Sequence, residues 1–170
     1  MKKVILLFIC LLGMLTTHAQ KFAFIDMEYI MENIPAYQKA NEELNLLSQQ
    51  YQKAIEAKAK EAETLYMAYQ KNAGSLNASQ RTQKEEAIVA KEKEVAELRK
   101  RYFGPEGEMA KKQETLIAPI QDKIYEAVKQ ISQQKGYDAV IDRASATSII
   151  FASPRIDISN DILSILGYSK

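Results

Sequence analysis

The sequence predicts an α+β chain, mostly α, that combines a long antiparallel helical hairpin with a small β-rich body. Three observations carry this. Residues 36–72 consist largely of Ala, Glu, Lys, Gln and Leu, all good helix formers. A short break at residues 73–80, AGSLNASQ, separates them from a second helical stretch, and two long helices joined in that way form an antiparallel hairpin. Near both ends lie short segments that alternate in apolar character, as strands do.

The chain opens with MKKVILLFICLLGMLTTHAQ. Lys2 and Lys3 precede an apolar run, Val4 to Leu15, that is too short to span a bilayer as a helix. Thr17-His18-Ala19 then ends on a small residue. Residues 1–19 read as a secretory signal peptide, cleaved between Ala19 and Gln20. Cys10 lies inside the apolar run after Phe8-Ile9, not after small residues at its end, so it does not fit a lipid-modified cysteine. Cleavage removes the only histidine, His18, and the only cysteine, Cys10. The mature chain would then have no thiolate, disulfide, imidazole base or nitrogen and sulfur metal ligands. No cofactor is expected, and no catalytic or metal residues are. With Lys2 and Lys3 gone, 21 basic residues face 22 acidic ones, which offers no general attraction for nucleic acid.

Residues 21–26, KFAFID, place Phe22 and Phe24 on one face and Ala23 and Ile25 on the other, as in a buried strand. A short helical turn, MEYIMENI, follows, and Pro35 suits the first turn of the next helix. In residues 36–72, Leu44, Leu47, Tyr51, Ala54 or Ile55, Ala62, Leu65 and Tyr69 form a narrow stripe of coiled-coil type. Gly74 suits a left-handed residue after this helix. Asn77 or Ser79 caps the next, with Gln80 placed for a capping box. The return stripe runs through Ile88, Val95, Leu98 and Tyr102, then Met109, Leu116, Ile120, Ile124, Ala127 or Val128 and Ile131, to a stop at Lys135-Gly136.

The stretch RYFGPEGEM, residues 101–109, interrupts this return. Its GPEG matches a G-x-x-G pattern, but the central Pro-Glu is acidic where a nucleic-acid clamp needs basic residues. It reads as a joint in one long helix. Pro105 removes a backbone donor, Gly104 and Gly107 ease departure from helical dihedrals, and Pro105 can start the resumed segment.

After Gly136 the period becomes that of strands: YDAVID (137–142) and TSIIFA (147–152) flank a turn at RASA. Ser159 then caps a last short helix, with Asp161 in its first turn and Gly167 after its end. These segments make a single unit over 20–170, with a body of 20–35 and 119–170 and an arm of 36–118 whose tip is 73–80. The arm measures roughly 60 Å at 1.5 Å per residue. Three short strands are near the lower limit for independent stability. Self-association is therefore expected, through Phe22, Phe24, Ile25, Val140, Ile141, Ile149, Ile150 and Phe151.

Charge singles out the tip. No acidic residue lies between Glu63 and Glu85, while Lys71, Arg81 and Lys84 do. Tyr66, Met67 and Tyr69 lie just below, side chains that accommodate varied partners. These six residues form a candidate contact surface; the alternative is a solvated tip with packing inside the hairpin.

The order of segments now identifies a resemblance. KFAFIDMEYIMENIPAYQKA, RYFGPEGEMAKKQETLIAPIQDKIYEAV and GYDAVIDRASATSIIFASPRIDISNDIL, with the charged hairpin between the first two, resemble the Skp/OmpH family of periplasmic chaperones in a form like those of Bacteroidetes. The similarity covers essentially the whole mature chain. It implies a jellyfish-like homotrimer with a small β-rich oligomerisation body and three helical arms around a cavity. It also implies an ATP-independent periplasmic holdase for unfolded outer-membrane proteins, not an enzyme, and it leaves peripheral contact with membrane lipid open. Well-known members are strongly basic, whereas this mature chain is near neutral, so the electrostatic part of the likeness rests on the tip. The alternative is a structural coiled-coil adaptor of the envelope that binds one folded partner.

Overall fold

The computed structural model describes residues 20–146 and 148–168; the expected signal peptide, with Cys10 and His18, lies outside them. The chain forms two compact units. One takes the described residues up to Ile30 and again from Ile124 onward; the other runs from Met31 to Lys123.

In the first unit, β1 (Phe22–Ile25) pairs in parallel with β2 (Ala139–Asp142), Phe22 opposite Ala139 and Ile25 opposite Asp142. Parallel neighbours need a long crossover connection, which the intervening helices supply. Alternation sends Ala23 and Ile25 into the core, leaves Phe24 half-buried, and leaves Phe22 45% exposed. On the other side of β1, the Ile158 N–H donates to the Phe24 carbonyl at 2.9 Å. The core centres on Ile30, Ile124 and Ile162, all fully buried, with Ala127, Ile131 and Leu163 around them.

The hairpin expected from residues 137–142 and 147–152 does not form. Residues 148–152 take no strand, and Ile150 and Phe151 are 102% and 81% exposed. The reason lies at Arg143. Its N–H extends the ladder to the Ile25 carbonyl at 2.8 Å, and its guanidinium reaches Asp26 at 3.2 Å and Asp157 at 3.4 Å. The chain after β2 is thereby tied toward β1 and does not fold back along β2.

Three Ile-Asp pairs, Ile25-Asp26, Ile141-Asp142 and Ile156-Asp157, organise the end of this sheet. In each, the carboxylate accepts backbone N–H groups where the chain turns. Asp26 accepts from Tyr29 at 2.9 Å and so caps α1 (Met27–Glu32). Asp142 accepts from Met27 and Ala144, both at 3.1 Å, and Asp157 accepts from Ser159 at 2.9 Å.

The final helix, α5 (Ser159–Ile165), corrects one expectation. Ser159 is its first residue, not its cap. The Ser159 hydroxyl instead donates to Asp157 at 2.6 Å and accepts the Asp26 N–H at 2.9 Å, so the aspartate takes the capping role. Gly167 does end the helix with φ 82°: Tyr168 N–H bonds Leu163 C=O and Gly167 N–H bonds Ser164 C=O. Gly136, with φ 68°, likewise ends α4 (Glu108–Lys135).

In the second unit, α2 (Pro35–Asn72) starts on Pro35 as expected. Gly74 is not left-handed; it lies in a 3₁₀ turn, Ala73–Ser75. The Ser75 hydroxyl bonds the Asn72 carbonyl at 2.9 Å there, which satisfies an orphan carbonyl at the helix end. Asn77 caps α3 (Ala78–Phe103) in a full capping box with Gln80. Ile55 and Ala62 of α2 and Ile88 and Val95 of α3 are buried along the predicted stripes. Lys91 of α3 adds a bridge to Glu61 of α2 at 3.2 Å. α4 begins at Glu108 and carries Pro119 within it.

Candidate functional site

The tip residues divide into two groups. Tyr66 and Met67 are 47% and 58% exposed, and Lys71 and Lys84 are exposed as well. Tyr69 and Arg81 make bonds within the hairpin. The Tyr69 hydroxyl donates to Glu85 across the two helices, and that bond pushes its phenol up. Arg81 donates through Nε to the Leu76 carbonyl at 3.2 Å. The Tyr66 hydroxyl accepts from the Gln70 amide one turn on at 2.9 Å, so Met67, Lys71 and Lys84 present free ends, Tyr66 presents its exposed ring, and Tyr69 staples α2 to α3. Glu85 was not legible as its partner, because only the register across the hairpin brings residues 69 and 85 together.

Below Tyr66 lies an open cleft of about 560 Å³ between α2 and α3. Ala59, Ala62, Val95 and Ala96 line it with small apolar side chains, Tyr66 forms part of its wall, and Glu63, Glu92 and Arg99 bring charge of both signs to it. Leu46, Val89 and Phe103 add exposed apolar surface elsewhere on these helices, at 61%, 61% and 42%. Side chains of this kind offer burial without strict geometry. Among the described residues there is no cluster of three or more His, Cys, Asp or Glu able to hold a metal ion. No described helix is long and apolar enough to cross a membrane.

The joint occupies Gly104–Gly107. Pro105 does not start the resumed helix, as expected from sequence; it lies in the turn, and Gly107 accepts the first bond of α4, from Lys111 N–H at 3.1 Å. The glycines are there for space more than for dihedral freedom. Gly104 has φ −65° and ψ 166°, open to any residue, but a Cβ on it would lie 2.3 Å from the Lys100 carbonyl oxygen. A Cβ on Gly107 would lie 2.9 Å from the Arg101 oxygen and from Gly104 backbone atoms. A hollow beside the turn mixes Lys100, Arg101 and Lys111 with Glu97, Glu106 and Glu108, so its charge does not favour a phosphate.

The joint has a partner that sequence reasoning missed. The Tyr51 ring of α2 stacks on Tyr102, and its hydroxyl donates to Glu108 at 2.6 Å. Arg101 donates to the other oxygen of the same carboxylate at 2.7 Å. The Tyr51 bond and the Arg101 bond hold the Glu108 carboxyl below the usual range, and the same contact with Glu108 pushes the Tyr51 phenol up.

Of the body residues, Ile25 is buried; Phe24, Val140, Ile141 and Ile149 are half-buried. Phe22, Ile150 and Phe151 stand exposed, an apolar set left uncovered within one chain.

Comparison with known proteins follows the same lines. Residues 21–166 match the model of a family described as outer membrane protein (OmpH-like). The chain is 24% identical over 148 residues to a protein named chaperone protein Skp from Yersinia enterocolitica, covering 87% of each. It shares its fold with a crystal structure of a candidate OmpH-like outer membrane chaperone from Caulobacter crescentus. The TM-score is 0.65 and the identity 11%, over 87% of this chain and 84% of that one.

Proposed function

Because the chain belongs to the OmpH-like family of outer membrane proteins, we propose that it is a chaperone of the cell envelope, an ATP-independent periplasmic holdase for unfolded outer-membrane proteins. The observation that supports this best is the character of the hairpin surface. Exposed Tyr66 and Met67 and an apolar cleft sit close in sequence to Lys71 and Lys84. That surface lets apolar segments of an unfolded chain be held weakly and in many registers, while the lysines attract acidic ones. The protein works without catalysis, cofactor or nucleotide, and nucleic acid is not its partner.

The functional form is a homotrimer. Exposed Phe22, Ile150 and Phe151 are the surfaces that subunits cover, and the arms of the assembly surround the client. The deciding experiment follows light scattering as an unfolded β-barrel protein is diluted from urea with and without this chain. Suppression of aggregation at near-stoichiometric ratio, without ATP and in the presence of EDTA, is the expected result. Unchanged aggregation of several unfolded proteins, with tight binding of a single folded one, marks a coiled-coil adaptor instead.

A further inference from the structure

The bend at Gly104–Gly107 is held by little backbone bonding. Gly104 N–H bonds the Lys100 carbonyl, Gly107 N–H bonds the Gly104 carbonyl, and Pro105 supplies no N–H at all. Such a segment, left to itself, opens at low cost. Side chains from both helices nevertheless converge on it. We infer that the bend is a clasped joint, in which Tyr51 of α2 holds α3 and α4 in one setting and its release lets the joint open.

The geometry places one side chain against both sides of the break. The Tyr51 ring lies on Tyr102, with centroids 3.9 Å apart and planes within 2°, and meets Phe103 edge-on at 6.2 Å. Both partners are on α3, before the break. The Tyr51 hydroxyl bonds Glu108, the first residue of α4, after the break. Arg101 closes the loop by bonding the same carboxylate from α3, with its guanidinium 5.5 Å from the centre of the Tyr102 ring. Swinging α4 about the turn moves Glu108 away from Tyr102, so Tyr51 cannot keep both contacts. The clasp therefore fixes the setting at the break itself, with the Lys112–Glu43 bridge at 2.6 Å tying α4 to α2 just beyond it.

The clasp is also built to let go. Tyr51, Tyr102 and Glu108 are all half-buried, and Arg101 and Phe103 are exposed. Water can replace each bond as it breaks, which keeps the cost of opening small. The inference concerns the hairpin itself and stands whatever the protein binds.

The test places nitroxide labels on cysteines introduced at Glu97 and Gln113, exposed positions on either side of the joint, in the full chain carrying Cys10→Ser and diluted in an excess of unlabelled Cys10→Ser chain so that only distances within one chain are read. The parent should give one narrow distance distribution. Tyr51→Phe keeps the ring and loses the bond to Glu108; the distribution should broaden. Tyr51→Ala loses both, and the distribution should broaden further and shift. Hydrogen exchange at Gly107 and Lys111 should quicken in the same order, with helix content unchanged. Parent-like distributions in both variants overturn the clasp. If Tyr51→Ala loses helix content, Tyr51→Phe and Glu108→Ala carry the test, since both leave the stack in place, and parent-like widths in both overturn it equally.

Discussion

Tyr51 and Tyr102 stack face to face, with ring centroids 3.9 Å apart and planes tilted by only 2°. They are fifty-one positions apart in the chain, so the contact exists only because α2 and α3 align in one register. An aromatic pair contributes about 0.5–1.5 kcal/mol beyond the area it buries. Tyr102→Leu keeps apolar bulk and removes the pairing. It should lower the unfolding free energy of the hairpin by about 1 kcal/mol, measured by urea denaturation. A double-mutant cycle with Tyr51→Leu should show coupling between the two positions; additive effects would mean that the stack contributes nothing.

The charge at the tip gives a second prediction. Lys71 and Lys84 are exposed, while Arg81 also holds the Leu76 carbonyl. Lys71→Glu with Lys84→Glu should weaken binding of an acidic unfolded protein, more at low salt than at high, because exposed charges are screened by salt. Adding Arg81→Glu should cost tip stability as well. Client affinity that is the same for parent and double variant at low salt returns the tip to a merely solvated surface.

The uncovered apolar residues of the body give a third. Ile150 and Phe151 project from a segment, residues 148–152, that joins no strand among the described residues. Ile150→Asp with Phe151→Asp should reduce the mass in solution from that of an assembly to that of one chain, as read by light scattering. A parent chain that is a stable monomer at micromolar concentration removes the basis for the trimer.

Much of the fold was legible because helices are local. Pro35, the Asn77–Gln80 box, the Gly136 and Gly167 stops and the buried stripe through Ile55, Ala62, Ile88 and Val95 all follow from residues a few positions apart. What was missed depends on distant residues meeting. Parallel pairing of β1 with β2 joins segments from opposite ends of the chain. TSIIFA has strand composition, but Arg143 draws the chain after β2 toward β1, and residues 148–152 take no strand. The site divides in the same way. GPEG marked the joint, while Tyr51, its partner, read only as one more residue of a stripe.

Acid should weaken the body through Asp142. Burial pushes this carboxyl up, but hydrogen bonds from Ser145 and from the N–H groups of Met27 and Ala144 outweigh it and hold it below the ordinary range. A carboxyl with a depressed folded-state pKa contributes stability that is present above its unfolded value, about 3.9, and is lost as pH falls through the folded value. Asp142→Asn should lower stability at neutral pH and flatten its decline in acid. An acid-unfolding curve that keeps the parent's slope assigns the decline to other carboxyls.

Two glycines in the hairpin make opposite predictions, and the contrast tests why the joint is where it is. At Gly74 an added Cβ meets nothing within 4 Å, and the backbone is not left-handed. Gly74→Ala should therefore stabilise by about 0.4–1 kcal/mol, since alanine restricts the unfolded chain at no cost to the folded one. At Gly104 the same atom would lie 2.3 Å from the Lys100 carbonyl oxygen. That neighbour is backbone of α3, so the clash is relieved only by moving the helix end or the turn. Gly104→Ala should lower the melting temperature and disturb the Tyr51–Glu108 bond, which shows as a drop toward the ordinary value in the Tyr51 phenol titration. Replacing Gly104, Pro105 and Gly107 together by Ala removes the reasons for the turn and should let helix run through it, raising helicity and stiffening the arm. If Gly104→Ala behaves as Gly74→Ala does, the close approach at Lys100 does not set the bend.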